Sequence, residues 1–404
     1  MAYVPLEKSS SPTENSSSLQ SQDDAAPSIL LLCLEIFSQE GGIQSYIKDI
    51  FYAYKHIDAD RNDQPLQADV FLLRDRSDCE NPFQSSQPSK FTFHYFQSDF
   101  PVLGRIKFAI ALFLYLLRQR PERVYCGHIL LTPLVQRLCR WFDVPYTVLT
   151  YGKEVWRELE PSYKNALQQA DSIWTISRYT GDCLCQFNQI PFERLKFLPC
   201  AIDEAYFTPG PKNPQLLDRY SISPDSKLMV TVARLWSGDI YKGVDVTIRA
   251  LPAIRERIPN IRYLVIGRGD DQPRLAKLAK DLGVEGQVIF AGFVPVAELR
   301  DHYRLADAYV MPSQEGFGIV YLEAMACGIP VVSGDADGSS DPLQDGRVGW
   351  QVPHRNSQAV ADACIEVLLG NDQRCNGKWL REEAIATFGQ AMFRQRLQAL
   401  LQSN

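Results

Sequence analysis

Residues 311–334, MPSQEGFGIVYLEAMACGIPVVSG, leave little freedom in how they fold. A polar, glycine-bearing loop, Ser313-Gln314-Glu315-Gly316-Phe317-Gly318, runs into a segment of mostly good helix formers: Ile319, Leu322, Glu323, Ala324, Met325 and Ala326. Gly328 and Pro330 stop that helix, and Val331-Val332 opens a strand. Glycines ahead of a helix let the backbone approach an anion, and the helix N-terminus offers unpaired N–H groups. Glu315 in the loop and Glu323, about one and a half turns into the helix, flank this phosphate seat. A carboxylate accepts two hydrogen bonds side by side, which suits a sugar diol. Phosphate and diol readers together point to a nucleotide-sugar site. The plain alternative is a buried strand–loop–helix whose carboxylates face water.

The rest of the chain repeats this alternation. An apolar strand over 28–37 meets Gly41-Gly42, and Ile43, Tyr46, Ile47, Ile50 and Phe51 follow at helical spacing. Further strands are expected at 68–73, 91–96, 123–126, 146–150, 172–176 and 195–198, with helices at 102–120, 132–142, 161–170 and 178–187 between them. Residues 207–214 are proline-rich and read as a linker. A second set of strands is expected at 228–233, 262–266, 288–291, 308–311 and 350–352, with helices at 243–257, 272–282, 296–304, 357–369 and 377–402. Strand–helix alternation implies a mostly parallel sheet in each half, with ligands at the carboxyl ends of the strands.

A chain of 404 residues is long enough for two such domains, and 45% hydrophobic with 22% charged residues is the composition of a globular protein. A net charge of −6 gives no support to nucleic-acid binding. The ten cysteines include no CxxC pair and only five histidines are available as co-ligands; Cys183-Leu-Cys185 is too close-set for a usual zinc pair. Reduced thiols in a cytosolic protein are expected. Residues 1–27 are rich in Ser, Gln and Asp, lack the apolar core of a signal peptide, and read as a disordered tail. The longest apolar run, 108–117, is about half the roughly 20 residues that span a bilayer. It reads as a core helix. Its flanks, Arg105, Lys107, Arg118 and Arg120, also fit a helix that touches a membrane surface.

The segment Glu315-Gly-Phe-Gly-Ile-Val-Tyr-Leu-Glu323 resembles the E-x7-E signature of retaining GT-B glycosyltransferases, closest to family GT4, and the surrounding residues resemble that family almost letter for letter. The resemblance implies an α/β GT-B fold, two Rossmann-like domains facing each other across a cleft. It implies an acceptor-binding domain over 28–205, a nucleotide-sugar-binding domain over 206–380, and a C-terminal helix, 381–404, returning to the first domain. Breaking a nucleotide-sugar bond leaves a diphosphate with extra negative charge, which a metal or fixed cations must neutralise. Arg234 and Lys242-Gly243 resemble the family's pair of cations on the donor phosphates. By the same resemblance, Gly41, Gly42, Gly267, Gly269, Phe293, Val294 and the backbone of Gly316, Phe317, Gly318 and Ile319 line the donor site. Glu323 reads the ribose, Glu315 contacts sugar hydroxyls, and His128 lies on the acceptor side. Tyr151-Gly152-Lys153-Glu154 resembles an "HG.E" segment on the sugar side, with Tyr151 where the family commonly has His. Tyr can donate to a sugar hydroxyl but carries no charge near neutral pH. Turns, surface cations and a satisfied histidine are the plain readings of these same residues.

Asp58-Ala-Asp60 and Asp335-Ala-Asp337 match a D-x-D metal pattern short enough to arise by chance, and 335–341 fits the family's loop after the helix instead. No obligatory metal and no cofactor are expected. The expected activity is retaining transfer of a hexose from a UDP-, GDP- or ADP-linked sugar to a glycan, a lipid-linked or a small hydroxyl acceptor. Its setting would be cell-surface polysaccharide or glycolipid assembly, in the cytoplasm or on the inner face of the membrane. The competing readings are a nucleotide-sugar-binding protein that has lost catalysis at Tyr151, a sugar-nucleotide epimerase, and a phosphorylase, whose pyridoxal lysine nothing in the sequence marks.

Overall fold

The computed structural model describes residues 28–57, 67–84 and 90–403. The tail read over 1–27 and the Asp58-Ala-Asp60 pattern lie outside these. The first half runs β1 (Ser28–Cys33), α1 (Gly42–His56), β2 (Gln67–Leu72), β3 (Phe91–Tyr95), α2 (Pro101–Gln119), β4 (Arg123–Cys126), α3 (Thr132–Phe142), β5 (Tyr146–Thr150), α4 (Pro161–Gln168), β6 (Ser172–Thr175), α5 (Arg178–Asn188) and β7 (Leu195–Phe197). Its seven strands pair in the order β3-β2-β1-β4-β5-β6-β7, all parallel.

The second half runs α6 (Pro214–Arg219), β8 (Lys227–Val232), α7 (Val244–Arg257), β9 (Ile261–Ile266), α8 (Gln272–Asp281), β10 (Val288–Gly292), α9 (Val296–Tyr303), β11 (Ala308–Met311), α10 (Ile319–Ala326), β12 (Val331–Gly334), β13 (Trp350–Val352), α11 (Ser357–Leu369), α12 (Gly377–Phe388) and α13 (Gln390–Gln402). Its six strands pair in the order β10-β9-β8-β11-β12-β13, again all parallel. Helices cover both faces of each sheet. The central strands are therefore buried runs such as Leu30-Leu31-Leu32 and Leu228-Met229-Val230, not alternating ones. In each sheet the strand order reverses once, between β1 and β4 and between β8 and β11. The crevice outside those carboxyl ends is where such folds hold ligands.

Three elements differ from the sequence expectation. The first strand stops at Cys33, not at residue 37. The buried Asp75 carboxylate accepts the Ile36 and Ser38 N–H groups at 2.6 and 2.8 Å and the Ser38 hydroxyl at 2.6 Å, which bends the chain away from the sheet. The proline-rich linker contains α6, started by Asn213, whose side chain caps Gln215 N–H, and by Pro214 at the first helical position. The helix expected over 377–402 is two helices. Gly389 is extended between them, and the Phe388 carbonyl leaves the helix pattern to accept Ile202 N–H at 2.9 Å. The break turns α13 onto the first half, where Phe393 meets Tyr46 of α1 edge to face at 6.0 Å.

Candidate donor-binding cleft

The carboxyl ends of β8 and β11 bring the loop after Ala233 beside the loop before α10. Lys242 closes the first loop and Glu315 sits in the second; their side chains form a half-buried ion pair. The loop pattern set Glu315 at a phosphate seat and the family resemblance set Lys242 on the donor phosphates; the fold makes the two partners. Gly318, in the left-handed region at φ 89°, is the N-cap of α10 and no side chain caps the N–H groups of its first turn, at the carboxyl end of β11. A side chain at Gly318 would strike the Tyr321 ring. Phe317 does not face a ligand. Its ring is buried against Phe388 at 5.5 Å, so only its backbone can contribute to the site.

The Glu315 N–H donates to Asp337 at 2.5 Å, and Asp337 also accepts Ser339 N–H at 2.9 Å and the Ser339 hydroxyl. Burial pushes Asp337 up to about 7. Asp337 therefore shapes the Glu315 loop, a role that the D-x-D spacing concealed. Asp335 instead accepts His354 N–H at 3.2 Å. Glu323, half-buried, accepts the Tyr303 hydroxyl at 2.6 Å, and burial raises it to about 7. Arg234 is largely exposed; it pairs with Asp239 at 3.1 Å and lies over the Trp236 ring. Gly267 and Gly269 face the Ala233 and Leu235 carbonyls too closely for side chains, so they serve the packing of one strand-end loop on the next. Phe293 is exposed beneath the Arg268 guanidinium, whereas Val294 is buried.

From the first half, Gly41 caps α1 and Gly42 begins it, at the carboxyl end of β1. His128 uses Nδ1 to accept Leu130 N–H at 3.2 Å, and burial, helped by Arg74, pushes it down to about 4. It is neutral near pH 7, with its proton on Nε2. Two expectations on the sugar side need correction. The Tyr151 hydroxyl is not offered to a ligand: it donates to the Gly127 carbonyl at 2.7 Å, and its buried ring meets Tyr46 edge to face at 5.7 Å. Glu154 turns inward and accepts Tyr151 N–H at 2.5 Å and Gly152 N–H at 3.1 Å. Both residues shape the loop and leave its backbone and Lys153 to face the second half.

That loop touches the other domain. Gly152 lies against Gly316, and the Lys153 ammonium lies over the ring of Tyr241, the neighbour of Lys242. Burial and the nearby Lys242 lower Lys153 to about 8, against the pull of Glu315. Lys153 therefore adds a cation from the first domain. Its neighbours in sequence carry no signal of that; only the packing of the two halves shows it. A second bridge joins Arg178 to Asp341 at 2.5 Å and to Asp345 at 2.7 Å.

Tyr151→Phe is expected to remove about 1–3 kcal/mol of stability by leaving the buried Gly127 carbonyl unpaired. Its Km for any sugar donor should hardly change. Chemical denaturation and steady-state kinetics on the same preparation check both halves of that expectation.

Among the described residues, no group of three or more His, Cys, Asp or Glu is placed to hold a metal ion. All ten cysteines are free.

Residues 226–369 match the family model described as "Glycosyl transferases group 1". Over 232 residues, 54% of this chain, the sequence is 34% identical to a GDP-mannose-dependent alpha-(1-6)-phosphatidylinositol monomannoside mannosyltransferase of Mycolicibacterium smegmatis. The match spans 59% of that relative's length. Among solved structures, Anabaena HepE in complex with UDP superposes with a TM-score of 0.72 at 20% identity, covering 93% of this chain and 100% of the other. Sucrose-phosphate synthase from Thermosynechococcus elongatus gives 0.73 at 20% identity, covering 93% and 98%. Residues 226–369 thus resemble a group 1 glycosyltransferase domain, and the chain as a whole has the GT-B fold of these solved structures, two Rossmann-like halves facing each other across a cleft.

Proposed function

We propose that this protein transfers a hexosyl group, with retention of anomeric configuration, from a nucleotide-diphosphate sugar to a hydroxyl acceptor. The observation that carries the reading is the Lys242–Glu315 pair at the N-terminus of α10, where the carboxyl ends of β8 and β11 meet. Lys242, Arg234 and the α10 N–H groups stabilise the charge that grows on the leaving diphosphate. Glu315 accepts hydrogen bonds from the sugar, and Glu323 accepts them from the ribose. The acceptor enters past Gly41, Gly42 and His128, and the leaving phosphate takes its proton from the same face. This reading needs no metal, because Lys242, Arg234 and the α10 N-terminus supply the positive charge that a metal ion would otherwise bring. GDP-mannose is the first donor to test, given the name of the mycobacterial relative. A glycan or lipid-linked alcohol is the acceptor class.

Tyr151 gives one competing reading some weight. With its hydroxyl spent on Gly127, nothing at that position reaches the sugar, which suits a protein that binds nucleotide sugar without turnover. Nucleoside diphosphate release from GDP-mannose, UDP-glucose and ADP-glucose, with EDTA and with lipid-linked acceptors, separates the two. Release from one donor, abolished in Glu315→Ala, is the expected result. Nucleotide binding without release under any acceptor would make this a binding protein, and release that needs added Mg²⁺ would remove the metal-free step.

Glu323 gives a pH test. Burial raises its folded value to about 7, and only the carboxylate accepts from both ribose hydroxyls. Donor affinity should therefore rise with pH through 7. If only the ionised form binds, GDP binds about tenfold more weakly at pH 6 than at pH 8. Calorimetry with GDP and 2′-deoxy-GDP checks this: the deoxy ligand and the Glu323→Gln variant should both lose that dependence.

A further inference from the structure

The α2 helix is apolar on two faces, and the fold covers one of them. Gly104, Phe108, Leu112 and Leu116 point inward and are buried. On the opposite side Leu103, Ile106, Ile110, Leu114 and Leu117 follow each other at three- and four-residue steps, and all five are exposed. Phe100, just before the helix, is 73% exposed. The stripe continues onto α3: Phe113 packs edge to face on Trp141 and Phe142 at 6.2 and 5.3 Å, and Trp141 itself is 75% exposed. A contiguous apolar surface of this kind marks a docking face, not scattered exposure.

The charges around it choose the partner. Neither α2 nor α3 contains an Asp or Glu, although the chain carries a net charge of −6. Lys107 and Arg118 border the stripe on one side, and Arg137 and Arg140 accompany Trp141. Among the described residues, none of these four forms a salt bridge. Two copies joined by this face would bring unneutralised cations together. An anionic bilayer takes the apolar stripe into its acyl boundary and pairs the cations with headgroups. Among the described residues no helix is long and apolar enough to cross a membrane, so this one lies along the surface.

We infer that the α2–α3 face, centred on Ile106, Ile110 and Trp141 and rimmed by Lys107 and Arg118, docks the protein on an anionic lipid surface. The inference does not depend on the transferase reading, and its test involves no turnover. The full chain is sedimented with vesicles of phosphatidylcholine alone and of phosphatidylcholine with phosphatidylglycerol. Binding is expected only to the second, and added salt should weaken it. Lys107→Gln with Arg118→Gln should weaken it about 30-fold. Ile110→Asp should abolish it, and because Ile110 is exposed the thermal melt should not move. Equal binding to both vesicles, no binding to either, or indifference to the Lys107 and Arg118 changes would overturn the inference. A concentration-dependent dimer without lipid that Ile110→Asp dissolves would assign the face to a second copy of the chain instead.

Discussion

Lys242→Ala is expected to lower kcat about 10²–10³-fold on whichever nucleotide sugar proves to be the donor. The diphosphate gains its extra charge only as the sugar–oxygen bond breaks. A fixed ammonium aimed at it therefore acts mainly on the transition state, and kcat should fall more than nucleotide affinity does. The partner complicates the reading of single variants. Lys242 and Glu315 are each about 17% exposed, and removing one leaves the other short of its counter-charge. Some loss of thermal stability is therefore expected in either single variant. The Lys242→Met, Glu315→Gln double variant removes both charges and should recover stability while turnover stays low. Non-additive kinetics in this cycle is the expected signature of two groups acting on one reaction. Stopped-assay rates, nucleotide affinity by calorimetry and melting temperature on the wild type, Lys242→Met, Glu315→Gln and the double variant give the needed set. A Lys242→Ala variant with near-normal kcat would remove the ammonium from the chemistry.

Much of this fold was legible in the sequence alone. Strong local patterns marked most elements to within a residue or two: short apolar runs for strands, apolar residues at helical spacing for helices, and glycine or proline for their ends. The failures have a common cause, because each depends on a partner far away in sequence. The first strand ends early since Asp75 reaches back to Ile36 and Ser38. The last helix breaks at Gly389 since Ile202 takes the carbonyl beside it. Motif reading singled out Glu315 and the α10 N-terminus from a local glycine loop and helix, and Lys242 by family resemblance, and the fold brings the three together. It misjudged Tyr151 and Glu154 because residue type does not say where a side chain turns. Both are polar residues in a loop at the cleft, and both spend their polar atoms on that loop's neighbours. Lys153 was missed for the converse reason: its importance comes from the second domain, against which it lies.

Gly316→Ala should disable the protein with almost no cost to the stability of either half. A side chain at Gly316 would run into the Tyr151 carbonyl, with the Gly152 Cα 3.3 Å away; both atoms are backbone of the other domain. Gly316 is not among the residues of positive φ, so alanine fits its local conformation, and the obstacle is space alone. The collision is relieved only if the Gly152 loop withdraws or the cleft opens. Either change carries Lys153 away from Tyr241 and from the Lys242–Glu315 pair. Misplacing reacting groups by about 1 Å costs about 10²-fold, and a loss of that size in kcat is expected here. The melting temperature should stay within a degree or two, because the added methyl touches neither core. Small-angle scattering should show a larger radius of gyration unless the loop alone retreats. In that case the Arg178–Asp341 bridge remains, and so does the salt dependence it confers. Gly286→Ala is the control, since a methyl there meets nothing within 4 Å. A Gly316→Ala protein with normal kcat would mean that the contact between Gly152 and Gly316 is absent from the working state, and that the two loops act at a greater separation.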